Sequence, residues 1–173
     1  PVITAGASTI ALYSVMFKII KKEEGYIIKS FLKAFRQNFK QSTIIWLLLI
    51  GTGYIVGYDW YIAVTYIKLN RQIINILVAG IIIFLLWGWI FVFPLIACFE
   101  NTIKNMIKNA FLIPISQLPY AVIIILFDIV CIGGTLYNYR TLFYGSIFWS
   151  SIGGSLLVYV NSIFMSKIFE PYR

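Results

Sequence analysis

The chain has 173 residues, of which 61% are hydrophobic and 12% charged, with a net charge of +8 and no histidine. Soluble domains carry roughly 45–50% apolar and 25% charged residues, so a soluble domain of this length could not bury this much apolar surface, and lipid is the missing partner. Without histidine no Ser–His or Cys–His dyad can form, and because the cations flank apolar runs they point to membrane orientation and anionic headgroups, not nucleic acid.

In chain order, Val2–Ile20 is apolar and rich in small residues, and is expected to span the membrane. Glu23–Glu24–Gly25 breaks the chain before a basic stretch. At about 100° per residue, Ile27, Ile28, Phe31, Leu32, Phe35 and Phe39 occupy an arc of about 0–140°, while Lys29, Lys33, Arg36 and Lys40 fall at about 180–240°. That separation predicts an amphipathic helix over 26–41 lying in the headgroup plane. The alternative is a helix packed on the protein's own inner face.

The next expected span is 43–66, whose far end collects Tyr54, Tyr58, Trp60, Tyr61 and Tyr66, rings suited to the membrane–water boundary. The stretch Gln72–Phe99 contains no charged side chain over 28 residues, well beyond the ~20 needed to cross a ~30 Å hydrocarbon core. The span 73–99 contains Pro94, which should bend it near its end. Residues 100–111 repeat the interfacial pattern in miniature, with Lys104 and Lys108 opposite Ile103, Met106 and Ile107. Spans 112–133, with Pro114 and Pro119 near its start, and 142–166 complete the chain. A bilayer core cannot solvate exposed backbone polar groups, so these runs must be helical. The fold class is therefore all-α: a multi-pass transmembrane bundle with a basic amphipathic interfacial helix, forming one integral membrane domain over 1–173.

Orientation follows from the cations. One side holds seven in Lys18–Lys40, two in Lys104–Lys108 and two in the tail, eleven in all, against Lys68, Arg71 and Arg140 on the other. The Lys/Arg excess marks the cytoplasmic side, which places the basic helix and the C-terminus there. An interfacial helix with two spans, Tyr26–Phe99, is followed by a shorter version, Glu100–Ser166. The pattern reads either as a parallel repeat or as simple hairpin repetition.

Few residues are candidates for chemistry. Asp59 and Asp128 each lie sixteen residues into a span, about 24 Å from its inner boundary. They read either as ion- or proton-handling carboxylates, or as structural groups, Asp59 beside Lys68 or Arg71 and Asp128 near Arg140; the structural reading is the simpler. Asn75 and Asn161 offer interhelical hydrogen bonds. Ser146, Ser150 and Gly154 form a small-residue face, and Gly53 and Gly57 a shorter GxxxG, both suited to close helix packing in lipid, within the bundle or, alternatively, in a dimer contact. Cys98 and Cys131 have neither metal-ligand spacing nor a disulfide framework. No catalytic residue, metal site or cofactor is expected.

Pro1-Val2-Ile3-Thr4-Ala5-Gly6-Ala7-Ser8-Thr9, Glu23-Glu24-Gly25-Tyr26-Ile27 and Ser30-Phe31-Leu32-Lys33-Ala34-Phe35-Arg36-Gln37-Asn38-Phe39-Lys40-Gln41 resemble the YesL-like family of bacterial integral membrane proteins of unknown biochemical function. The resemblance covers Pro1–Trp46 in detail and the remainder in hydropathy only. It implies a six-span protein lacking its first span here, associated with carbohydrate-uptake loci near oligosaccharide importers and sensor kinases. It carries over no catalytic residues. The expected function is a non-enzymatic accessory or regulatory component of carbohydrate uptake in the cytoplasmic membrane, whose basic inner face (Lys29, Lys33, Arg36, Lys40) meets anionic lipid or a partner. The alternative is a small secondary transporter or channel for a sugar or ion, with Asp128 and Asn161 on its polar path.

Overall fold

The structure, a computed structural model, describes residues 4–23, 25–65 and 71–172, with Arg71 described by its backbone alone. Among these residues the secondary structure is helical throughout. Helix α1 (Ala5–Ile20) ends in a left-handed turn at Lys22, φ 55°. Glu23 N–H donates to Lys18 O and Lys22 N–H to Ile19 O, the paired bonds that satisfy the last carbonyls of a helix and reverse the chain. Helix α2 (Ile27–Thr65) then runs back along α1. Lys18 Nζ donates to Ser30 Oγ at 3.2 Å near the turn, and Gly6 lies against Ser42 O at the other end.

Two expectations change here. The interfacial helix over 26–41 and the span over 43–66 are one 39-residue helix, about 58 Å long; Tyr66 lies outside the described residues. No Gly or Pro occurs between Ile27 and Ile50, so nothing interrupts the backbone ladder where polarity changes. Phe31, Ala34, Phe35 and Asn38 are half-buried, whereas Ile27, Ile28 and Leu32 stay exposed. The second is one of extent: helix α1 is 16 residues long over its described part, about 24 Å, and residues 2 and 3 of the expected span lie outside the described residues. It is a core helix: Ala7, Ile10 and Ala11 are fully buried.

Helix α3 (Arg71–Cys98) returns along α2, joined by Trp60 Nε1–H donating to Asn75 Oδ1 at 2.9 Å and by the Trp46–Trp89 ring contact. Pro94 lies one turn from its end. Helix α4 (Ile103–Ser116) and helix α5 (Leu118–Leu136) replace the boundaries expected at 100–111 and 112–133. The break falls at Gln117, φ −126° and ψ 48°, because Pro119 has no N–H to continue the ladder of α4, its ring would crowd the carbonyl of Ile115, and it fits only the first turn of a helix. Asn138 caps helix α6 (Tyr139–Phe148): its Oδ1 accepts from Arg140 N–H and Thr141 N–H while Thr141 Oγ1 accepts from Asn138 N–H. A π-helical turn, Trp149–Gly153, connects α6 to helix α7 (Gly154–Phe169). The tail returns to the bundle through Tyr172 O–H donating to Ser116 Oγ at 2.8 Å.

The core gathers at one end of the bundle. Ile10 and Phe17 of α1, Phe93 and Leu95 of α3, Met106 of α4 and Ile168 of α7 meet there. Elsewhere large apolar side chains such as Ile76, Leu77, Ile129 and Val130 are more than half exposed, an arrangement that requires hydrocarbon as solvent. The expected small-residue faces do not pack within the chain: Ser146, Ser150, Gly154, Gly53 and Gly57 are all exposed. Ser146 and Ser150 instead donate to Phe143 O and Ile147 O in their own helix. The π-helical turn adds a residue to its turn and shifts the stripe's register, while a Cβ on Gly53 or Gly57 would meet nothing within 4 Å. The close approach is made by Gly6, where an added Cβ would lie 2.9 Å from Ser42 O and 3.1 Å from Trp46 Cβ.

Gly6→Leu should therefore destabilise the purified protein by about 1–3 kcal/mol through overpacking. Gly53→Ala should be neutral or should stabilise by up to about 1 kcal/mol through helix propensity. Thermal melts in one detergent compare the two; equal effects would show that Gly6 is not the point of close approach.

Candidate functional site: a polar pair in an apolar cleft

Helices α3 and α5 stand apart, and the cleft between them is floored by α1 and closed on one side by α7. Its volume is about 740 Å³, within the roughly 300–1,000 Å³ of small-molecule sites. The walls are hydrocarbon and aromatic: Ile83, Leu86, Trp87 and Phe93 from α3, Ile125 and Ile129 from α5. Besides the indole N–H groups of Trp87 and Trp89, four residues add polar side-chain atoms to the lining: Thr9 and Tyr13 from α1, Asp128 from α5 and Asn161 from α7.

Asp128 and Asn161 form the polar centre. Asn161 Nδ2 donates to Asp128 Oδ1 at 2.8 Å, with Asn161 1% and Asp128 7% exposed. Tyr13 lies beside them, within electrostatic reach of both. Asn161 Oδ1 and Trp87 Nε1 are buried without hydrogen-bond partners. Polar groups inside the hydrocarbon usually face a bundle interior or cavity and pair there, and this pair does so.

The proposed neighbourhood of Asp128 is corrected. Helix α5 starts at Leu118, so Asp128 lies ten residues along it, about 15 Å from its start. Arg140 is twelve residues further on, across the turn at Asn138, where its Nε donates to Tyr139 Oη. Asp128 is partnered by Asn161. Asp59 is exposed on α2 and does not line the cleft; Lys68 and the side chain of Arg71, its expected neighbours, lie outside the described residues, as does Arg173. Cys98 and Cys131 form no disulfide and are half-buried. Among the described residues, no three His, Cys, Asp or Glu side chains cluster as metal ligands.

The cationic candidates lie on a different surface. Lys29, Lys33, Arg36 and Lys40 are all exposed and fall within about 60° around α2 at helical spacing. Among the described residues the ion pair present is Lys21–Glu23 at 3.5 Å, and none of the four is ion-paired within that set. Sequence reasoning missed the Trp149 Nε1–H bond to Thr135 Oγ1, 2.8 Å, which fastens α5 to the π-helical turn, and the place of Tyr13 in the cleft. A tyrosine in an otherwise apolar core helix was the available signal for the latter.

Asn161→Leu removes the partner of a buried carboxylate and should cost about 1–3 kcal/mol, whereas Asp128→Asn keeps the shape and hydrogen-bonding capacity and should cost less than about 1 kcal/mol. In a double-mutant cycle of the leucine variants, Asp128→Leu should recover part of the Asn161→Leu loss. Strict additivity in unfolding would show that the two do not interact.

Residues 1–60, about a third of the chain, match the model of a family described as a protein of unknown function, DUF624. No curated protein and no solved structure matches.

Proposed function

We propose that the chain is a non-enzymatic accessory or regulatory component of the bacterial cytoplasmic membrane, associated with carbohydrate uptake, with its C-terminus and basic face in the cytoplasm. The observation that carries this reading is the exposed quartet Lys29, Lys33, Arg36 and Lys40, without an ion pair among the described residues and built on the same unbroken helix as a membrane span. A cationic face fixed at the end of a span attracts anionic headgroups or an acidic partner surface, each cation contributing about 1 kcal/mol near a charged membrane. The carbohydrate role rests on the YesL-like resemblance, which the match of residues 1–60 supports in its broader form. An oligosaccharide importer or its sensor kinase is the partner class this implies.

A second reading, a small secondary transporter of a sugar or ion, is favoured by one observation, the buried Asp128–Asn161 pair in a cleft. Against it stands the lining, since a conduction path offers successive polar sites and most of this lining is apolar.

With the full chain in neutral-lipid nanodiscs, capture of anionic vesicles should be strong at low salt. It should weaken by up to about a thousandfold, about 4 kcal/mol, when Lys29, Lys33, Arg36 and Lys40 are all changed to Gln. Unchanged capture would sink the lipid-contact role. Proteoliposomes should show no sugar or ion flux; a flux present in wild type and lost in Asp128→Asn establishes the transporter instead. On intact cells an impermeant thiol reagent should label Arg140→Cys and spare Lys33→Cys, and the reverse pattern inverts the orientation. Uptake of labelled oligosaccharides should fall in cells lacking the protein; unchanged uptake removes the carbohydrate role.

A further inference from the structure

We propose that the cleft between α3 and α5 binds a lipophilic organic cation, a positively charged head on an apolar body, held by Asp128 among aromatic rings. The inference goes beyond the accessory role and uses none of the four cations on α2. Asp128 spends one carboxylate oxygen on Asn161, and its second oxygen is left for the cleft it lines. Among the described residues no lysine or arginine lines that cleft, so the carboxylate has no built-in counter-charge. An anion inside hydrocarbon is costly without one.

The walls match the same ligand independently. Tyr13, Trp87, Trp89 and Phe93 all line the cleft, and aromatic faces attract organic cations most strongly where water is excluded. At about 740 Å³ the space suits a drug-sized molecule, and Ile83, Leu86, Ile129 and Ile132 at its rim are each more than half exposed. An apolar rim on spanning helices lets such a molecule enter from the bilayer. A lipid tail would fill the walls but leave the carboxylate unmatched. A neutral alcohol would supply a hydrogen bond without the charge. A metal cation would find too few oxygens to replace its hydration shell.

The test uses the full chain in detergent with two tetrahedral probes of nearly equal size and opposite charge, tetraphenylphosphonium and tetraphenylborate, each measured alone by thermal shift and equilibrium dialysis. Tetraphenylphosphonium should bind saturably and raise the melting temperature through linkage, while tetraphenylborate should not. Asp128→Asn should weaken tetraphenylphosphonium binding by at least about tenfold, because a desolvated charge partner is lost. Gly133→Leu offers a second route that leaves the carboxylate intact. Gly133 lines the cleft, and a Cβ there meets nothing within 4 Å, so the added side chain should fold normally and exclude the ligand. Equal binding of the two probes reduces the cleft to an apolar void. Undiminished binding in both variants places the cation elsewhere, and dodecanol outcompeting dodecylammonium assigns a neutral alcohol. Disulfide formation between copies carrying Ile129→Cys would put a second chain in the cleft. Any of these results overturns the proposal.

Discussion

The bundle depends on the seat of α1. Its small residues allow it to approach α2 until Gly6 meets Ser42 O, while its larger side chains reach the other way, Phe17 to Phe169 at the end of α7 and Tyr13 into the cleft. The α2–α3 hairpin and the α5–α7 pair are joined largely through this one helix and through α4. In lipid no hydrophobic attraction draws spans together, so close van der Waals packing and a few polar bonds must hold them. Helix α1 concentrates that packing at one end of the bundle. Toward the other end the ties include Trp60–Asn75 and Trp149–Thr135.

The cleft is a geometric result of that arrangement. Helix α1 packs against α2, α3 and α7 and reaches the cleft with Thr9 and Tyr13. There α3 and α5 stand apart, and the polar pair lies at the edge of the gap. The Asp128–Asn161 bond thus joins α5 to α7 where continuous apolar packing runs out.

Much of the architecture was legible because it follows from length and charge alone. Four apolar runs too long for anything but spanning helices became α2, α3, α5 and the α6–α7 segment. Asp128 and Asn161 were both legible as intramembrane polar residues of a candidate polar path. Their pairing was less accessible, because proximity along the chain suggested Arg140, and only the helix start imposed by Pro119 sets the register that faces Asn161. The small-residue stripes misled for a related reason. Spacing identifies a face but not whether another helix lies against it, and Gly6 packs closely while Gly53 and Gly57, with a cleaner motif, face outward. The fusion of the basic segment with its span was hidden by a change of composition that involves no change of backbone.

That fusion has a mechanical consequence. A separate surface helix would be joined to its span by a hinge, and each could move without the other. Helix α2 has no such joint between Ile27 and Thr65, so it behaves as a single shaft. Rotating its outer, tyrosine-rich part about the axis turns the lysines and arginine through the same angle, and tilting it by about 10° displaces one tip relative to the other by about 10 Å. The shaft links the two faces of the membrane, and α1, clasped along its lower half from Ser30 to Ser42, is the bearing in which it would turn.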